Sequence, residues 1–172
     1  MDDPAPTPLA AVSLPNEDAT CAFAQVLAGH LRPGDVIGLS GPLGIGKSVL
    51  ARAVVRALDD RAGDVPSPTF TLVQLYEVRQ GPAAGTPVFH FDLYRLERPD
   101  DAWELGIEEA FADGISLVEW PERLGPLLPE TALSAVLSPG HGTDSRRIAL
   151  QGGDRWTGLV AALNGWSADV SV

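Results

Sequence analysis

Gly41-Pro42-Leu43-Gly44-Ile45-Gly46-Lys47-Ser48 fits the spacing G-x-x-x-x-G-K-[ST], and the residues on either side decide its meaning. Val36-Ile37-Gly38-Leu39-Ser40, just before it, is a short apolar run that suits a buried strand. Ser48 to Leu58, just after it, puts Leu50, Val54, Val55 and Leu58 on the inward face of a helix. Strand, glycine-rich turn and helix together make a phosphate cradle. Glycines let successive backbone N–H groups turn toward one anion with no Cβ in the way. The helix points its N-terminus at the same anion. In such a loop Lys47 bridges the β and γ phosphates and the Ser48 hydroxyl ligates Mg²⁺. The expected phosphate-binding set is Gly41, Leu43, Gly44, Ile45, Gly46, Lys47, Ser48 and Val49.

Lysine usage within the chain supports this reading. There are 11 arginines and one lysine, and that lysine is Lys47. A sequence that uses arginine everywhere else keeps the compact ammonium at the loop.

Outward from the loop, apolar strands alternate with helical patterns. Asn16 or Asp18 caps a helix through about His30, with Ala22, Phe23, Val26, Leu27 and Leu31 on its apolar side. Thr69 to Val78 reads as a strand, and Gln80 to Pro87 as a Gly/Pro loop. Val88-Phe89-His90-Phe91-Asp92 and Ile115 to Trp120 read as buried strands. Pro99 to Ala112 reads as a helix with Trp103, Ile107 and Phe111 on its core face. Ala132 to Leu137 and Arg146 to Leu150 form a late hairpin, and Trp156 to Leu163 a closing helix. This order predicts an α/β, three-layer P-loop NTPase fold with a largely parallel central sheet. Residues 1–15 read as a loose arm or edge segment, 16–163 as one domain, and 164–172 as a tail.

Two carboxylates end apolar strands. Asp92 stands where a second acidic group of the metal site belongs, although a strand-end aspartate also serves as a turn or cap residue. Glu119 follows Ser116-Leu117-Val118, and strand C-termini of a parallel sheet face the ligand crevice. There it binds Mg²⁺ or orients an attacking water; the plainer alternative is a solvated acid at a strand end. Ser67-Pro68-Thr69-Phe70-Thr71 is either a proline turn opening a strand or a switch whose hydroxyl, on Thr69 or Thr71, senses the γ-phosphate or its metal. His90, inside an apolar strand, reads as a satisfied core histidine.

Composition bounds the function. The chain has 172 residues, 12 Lys+Arg against 23 Asp+Glu, and a formal charge of −11. Such acidity argues against gripping nucleic-acid phosphates unaided. One cysteine, Cys21, makes no internal disulfide. The start is acidic and Pro-rich, unlike a signal peptide, and no apolar run is long enough to span a bilayer. A cytoplasmic protein with no membrane association is the expectation.

Taken together, the motifs resemble the TsaE (YjeE) family, small P-loop ATPases of bacterial tRNA threonylcarbamoyladenosine (t6A) synthesis. The likeness rests on Gly34-Asp35-Val36-Ile37, the phosphate loop, Ser67 to Val73, His90-Phe91-Asp92-Leu93-Tyr94-Arg95, Leu105-Gly106-Ile107-Glu108-Glu109 and Val118-Glu119-Trp120-Pro121-Glu122. It covers about Pro15 to Leu150. The resemblance implies binding of ATP and Mg²⁺ with slow, partner-dependent hydrolysis. It puts Lys47 on the phosphates, Ser48 and Glu119 near the metal, Asp92 in the second acidic position, and the hydroxyls of Thr69 and Thr71 in a switch segment. Trp120, with Glu122 in the same motif, and Glu17 then fall beside the nucleotide. The implied partners are the TsaD and TsaB proteins, with tRNA met only through their complex.

The sequence departs from the family at Pro42, usually acidic, and at Ile45, usually alanine. In Gly142-Thr143-Asp144-Ser145-Arg146 it keeps only the later arginine of the family's late loop, so no nucleotide contact is assigned to Thr143 or Arg146. Two other functions compete: a small-molecule P-loop kinase, for which no arginine pair stands in a mobile loop after Asp92, and a nucleotide-gated binding protein with little hydrolysis.

Overall fold

A computed structural model describes residues 8–166. One seven-stranded sheet runs through it: β1 (Ala10–Leu14), β2 (Val36–Ser40), β3 (Val73–Glu77), β4 (Pro87–Asp92), β5 (Ile115–Glu119), β6 (Leu133–Pro139) and β7 (Arg146–Gln151). The spatial order is β1-β7-β6-β2-β5-β4-β3. The four central strands β6, β2, β5 and β4 are parallel. The outer strands β3 and β7 join them antiparallel, and β1 pairs antiparallel with β7 at the edge. The expected late hairpin is β6–β7.

Side-chain alternation sorts the sheet into two faces. Ile37 and Leu39 of β2, Val88 of β4 and Leu117 of β5 pack into one core cluster with residues of α1 (Glu17–Ala28), α2 (Lys47–Leu58) and α4 (Thr157–Leu163). Val36, Phe91 and Val118 face the other way, into a cluster with Ala102, Ile107, Ala110 and Leu124. That second layer contains α3 (Ile107–Asp113) and 3₁₀ helices over Pro99–Leu105 and Pro121–Leu127. Helices therefore cover both faces, as a buried parallel sheet requires. By the same period of two, His90 and Asp92 share a face with Val88, and Glu119 shares one with Leu117. All three polar residues thus point toward the α2 side.

Local chemistry explains the element ends. Asn16 caps α1, its side chain accepting from the Ala19 N–H at 2.9 Å. The expected inward residues of α2, Leu50, Val54, Val55 and Leu58, are all buried.

Several expectations need correction. Of the two readings of the N-terminal segment, loose arm or edge segment, residues 10–14 take the second: they form the edge strand β1, paired to β7 with Val12 opposite Ile148 and both buried. Residues 1–7 of the expected arm and 167–172 of the expected tail lie outside the described residues. The strand expected from Thr69 starts only at Val73, because Pro68 to Leu72 forms a turn closed by the Leu72 N–H on the Pro68 carbonyl at 2.7 Å. The helix expected over 99–112 is broken at Gly106, whose φ of 75° is left-handed. Its first part winds as a 3₁₀ helix, so the four-residue spacing does not stack, and Trp103 is exposed while Ile107 is buried.

Leu50 anchors α2, and so the phosphate loop, to the core, and it is fully buried. Leu50→Ala is expected to cost about 2–5 kcal/mol, read as a lowered urea midpoint with an unchanged slope.

Candidate functional site

The loop that enters α2 closes tightly. Gly41 has a φ of 140°, and a Cβ there would lie 2.6 Å from the Leu137 carbonyl oxygen. Gly46 caps α2 in the left-handed region, at φ 114°. Both positions demand glycine, one for space and one for backbone angle. The loop delivers Lys47 and Ser48 to the C-terminal ends of β4 and β5, where Asp92 and Glu119 stand opposite each other in register.

Here the polar groups converge. The Ser48 hydroxyl donates to Oε2 of Glu119 at 2.8 Å. The Thr69 hydroxyl donates to Oδ2 of Asp92 at 3.2 Å, and the Tyr94 backbone N–H donates to Oδ1 at 3.1 Å. Lys47 Nζ donates to the carbonyls of Gly41 at 2.6 Å and Pro42 at 2.8 Å. It also lies 3.9 Å from the centre of the Trp120 ring. Lys47, Asp92 and Glu119 are all buried. Burial pushes the Lys47 ammonium below its usual 10.5, and Glu119, Glu122 and Asp92 pull it back upward.

These residues line a cavity of about 270 Å³ with Leu43, Gly44, Gly46, Val49 and Tyr94. A second cavity, of about 350 Å³, shares Gly46 and Val49 and reaches across to Asn16, Glu17, Thr20, Ile45 and Arg146. The two flank the first turn of α2. The first is lined by the ammonium of Lys47, the hydroxyls of Ser48 and Thr69 and the carboxylates of Asp92 and Glu119. The second holds two acids, Glu17 from α1 and Asp144 from the loop before β7, and one arginine from β7, Arg146.

Most expected site residues meet in these cavities, but three do not line either. The Gly41 carbonyl acts through Lys47 instead. Glu122 is exposed and reaches the site only through its field on Lys47. Thr71 is exposed and accepts from Gln74 at 3.3 Å. A strand would have put Thr69 and Thr71 on one face, but the turn here separates them.

Three residues do more than their local sequence assigned them. Arg146, given no role, donates from Nε to the Ile45 carbonyl at 2.6 Å and so props the phosphate loop. Tyr94 packs on Trp120, ring centres 5.0 Å apart. His90 is buried as expected but is not a satisfied core residue: Nε2 lies 2.8 Å from Oε1 of Glu119, and Nδ1 has no hydrogen-bond partner. Its spacing of two from Asp92 was the available signal.

The donor set at β4 and β5 consists of carboxylate and hydroxyl oxygens, which suits a hard cation such as Mg²⁺. Asp92 and Glu119 bring two negative charges into a buried site against the single Lys47 cation. A divalent cation fits that imbalance. Among the described residues no group of three or more His, Cys, Asp or Glu could hold a metal unaided. Mg²⁺ usually takes only one or two carboxylates and completes its shell with phosphates and water.

A family model described as threonylcarbamoyl adenosine biosynthesis protein TsaE matches residues 14–148. The chain belongs to the TsaE family. A tRNA threonylcarbamoyladenosine biosynthesis protein TsaE from Rickettsia bellii is 37% identical over 127 residues, 72% of this chain and 83% of that one. Its namesake from Bacillus subtilis is 34% identical over 151 residues, 87% of this chain and 90% of that one. The crystal structure of Bacillus subtilis YdiB is similar with a TM-score of 0.69 at 28% identity, covering 91% of this chain and 94% of that one. The fold is thus that of the TsaE family, a P-loop fold. No helix among the described residues is long and apolar enough to cross a membrane.

Because Lys47 is the chain's single lysine, its side chain can be followed alone by NMR. Its titration midpoint is expected below the usual 10.5. Glu122→Gln removes a negative charge that favours the ammonium, so the midpoint is expected to fall further. A midpoint unmoved or raised in that variant would contradict the electrostatic arrangement.

Proposed function

We propose that this TsaE-family chain is an Mg²⁺-dependent, ATP-binding and ATP-hydrolysing accessory protein of t6A biosynthesis that acts on the TsaB–TsaD complex. The role in t6A biosynthesis follows from family membership. The observation that carries the ATPase reading is the hydrogen bond from Ser48, at the phosphate loop, to Glu119, at the adjoining strand end, with Lys47 and Asp92 beside it. That is the arrangement phosphoryl transfer to water needs, because positioning and charge stabilisation supply most of its catalysis.

Each residue has a distinct task. The loop N–H groups and the start of α2 hold the phosphates. The Lys47 ammonium leaves the Gly41 and Pro42 carbonyls for phosphate oxygens and stabilises charge on the transferred group. Ser48, Asp92 and Glu119 would hold Mg²⁺, which supplies Lewis-acid neutralisation of the phosphate charge when bound. Glu119 or Asp92 orients the attacking water, and Thr69, hydrogen-bonded to Asp92, links the 67–71 turn to the γ-phosphate end of the site. Trp120 covers Lys47 and keeps bulk water away from it. The second cavity, with Glu17, takes the remainder of the nucleotide. The chain's acidity favours docking on proteins over holding tRNA itself.

The test is a comparison of ATP hydrolysis with and without Mg²⁺, and with and without the TsaB–TsaD pair. Hydrolysis is expected to need Mg²⁺ and to rise with the pair. Lys47→Ala is expected to abolish it, and near-normal turnover in that variant would sink the assignment. Glu119→Gln keeps size and removes charge. It is expected to lower turnover by roughly tenfold to a thousandfold with a smaller effect on ATP affinity, and to stop repeated rounds of tRNA modification while still binding the pair. Phosphate transfer to a metabolite without any partner would favour a kinase, and binding without turnover a nucleotide-gated adaptor.

A further inference from the structure

His90 is the one buried side chain at this site that the mechanism above leaves without a task. It lies on β4, fully buried, between Gln74 of β3 and Leu117 of β5 in register. Its position two residues before Asp92 turns it to the same face as the site carboxylates. Nε2 is 2.8 Å from Oε1 of Glu119, while Oε2 of the same carboxylate accepts from the Ser48 hydroxyl at 2.8 Å. Glu119 is therefore held from both sides, by the sheet interior at one oxygen and by the phosphate loop at the other.

The histidine's other nitrogen sharpens the point. Nδ1 is buried with no hydrogen-bond partner among the described residues. A core position that needed only volume is better filled by an apolar side chain than by a half-paired imidazole, because an unpaired buried polar atom is destabilising. The single polar contact that offsets this is the one to Glu119. An ionised carboxylate only accepts hydrogen bonds, so with Glu119 ionised Nε2 carries the hydrogen of this contact, and Nδ1 is the unpartnered atom.

We infer that His90 is a positioning residue: it fixes the orientation of Glu119 so that Oε2 faces Ser48 and the phosphate-loop cavity. This rests on the ATPase reading above and adds to it the residue that sets how well Glu119 serves the cation. With His90 replaced by an apolar residue, Oε1 is left buried and unpaired, and the carboxylate turns to recover a partner. Groups that orient a metal ligand from behind commonly matter for metal affinity about as much as weak ligands do.

The experiment uses the full chain and reads two quantities, the Mg²⁺ concentration giving half-maximal ATP hydrolysis and the affinity for ATP without Mg²⁺. His90→Phe is expected to raise the Mg²⁺ requirement about tenfold or more, with Mg²⁺-free ATP affinity unchanged. His90→Gln, which keeps an N–H donor near the Nε2 position, is expected to recover most of that loss. In a Glu119→Gln background, His90→Phe is expected to add nothing, because the contact it acts through is already altered. An unchanged Mg²⁺ requirement in His90→Phe, or an equal loss in both backgrounds, overturns the inference. Should His90→Phe not fold, ¹⁵N NMR of the unaltered protein decides: the ring is expected as the Nε2–H tautomer, and an Nδ1–H tautomer overturns the assignment. A wild-type chain that neither binds nor hydrolyses ATP with Mg²⁺ overturns the proposed function instead, a result distinct from either outcome at His90.

Discussion

Two buried carboxylates side by side at the ends of adjacent parallel strands are the constraint to which the site answers. Asp92 and Glu119 are register partners, and almost no solvent reaches either. Desolvated like charges repel, and each is costly unless donors or cations surround it. The surrounding structure meets that demand group by group. Asp92 receives the Thr69 hydroxyl and the Tyr94 N–H. Glu119 receives Ser48 and His90. The chain's single lysine stands beside both, its ammonium favoured by their charge. The parallel register of β4, β5 and β2 makes the pairing unavoidable, since it brings these strand ends to one level. The phosphate loop then leaves β2 at the same level and carries Lys47 and Ser48 to them.

Backbone strain is concentrated around the same point. Among the described residues, two that are not glycine have positive φ: Leu72 at 63° and Trp120 at 60°. Each such residue costs roughly 1–3 kcal/mol and persists only where surrounding contacts over-determine it. Leu72 closes the turn that brings Thr69 to Asp92, and its carbonyl accepts from the Asp92 N–H at 3.0 Å. Trp120 follows Glu119 directly, and its left-handed backbone accompanies a ring set over Lys47 and against Tyr94. Pro121 next packs where Gly38 leaves room, a Cβ on Gly38 lying 3.1 Å from the proline ring. These strained segments bracket the two carboxylates, one on each side.

The residues that were legible in the sequence are those whose placement follows from spacing. The phosphate loop, the inward face of α2, the strand-end acids and the late hairpin all rest on short-range pattern, and the fold class followed from their alternation. What escaped was set by backbone detail or by contacts across the sheet. Thr71 left the site because a left-handed Leu72 replaced extended strand with a turn. Trp103 left the core because the segment wound as a 3₁₀ helix and broke at Gly106. The prop from Arg146 to Ile45 spans 101 positions, and nothing local in either segment announces it. His90 falls between these cases. Its alternation with Asp92 was readable, but its bond to Glu119 depends on β4 and β5 being neighbours in a particular register.

The charge arrangement also sets which form of nucleotide the site accepts on the proposed reading. Asp92 and Glu119 together outweigh Lys47 by one charge, so a bare triphosphate brought to the loop would meet a net negative pair of carboxylates at short range. A magnesium-bound triphosphate carries with it the cation those carboxylates lack. The glycine loop and the start of α2 attract phosphate by themselves, and the acids beside them oppose it unless metal arrives too. On that reading metal and phosphate binding would be coupled through one hydrogen bond: Ser48 donates to Glu119, and both would hold the cation. On that reading, whatever fixes the angle of Glu119 would also set how strongly the two ligands depend on each other, and the fully buried His90, 2.8 Å from Oε1, is placed to do so.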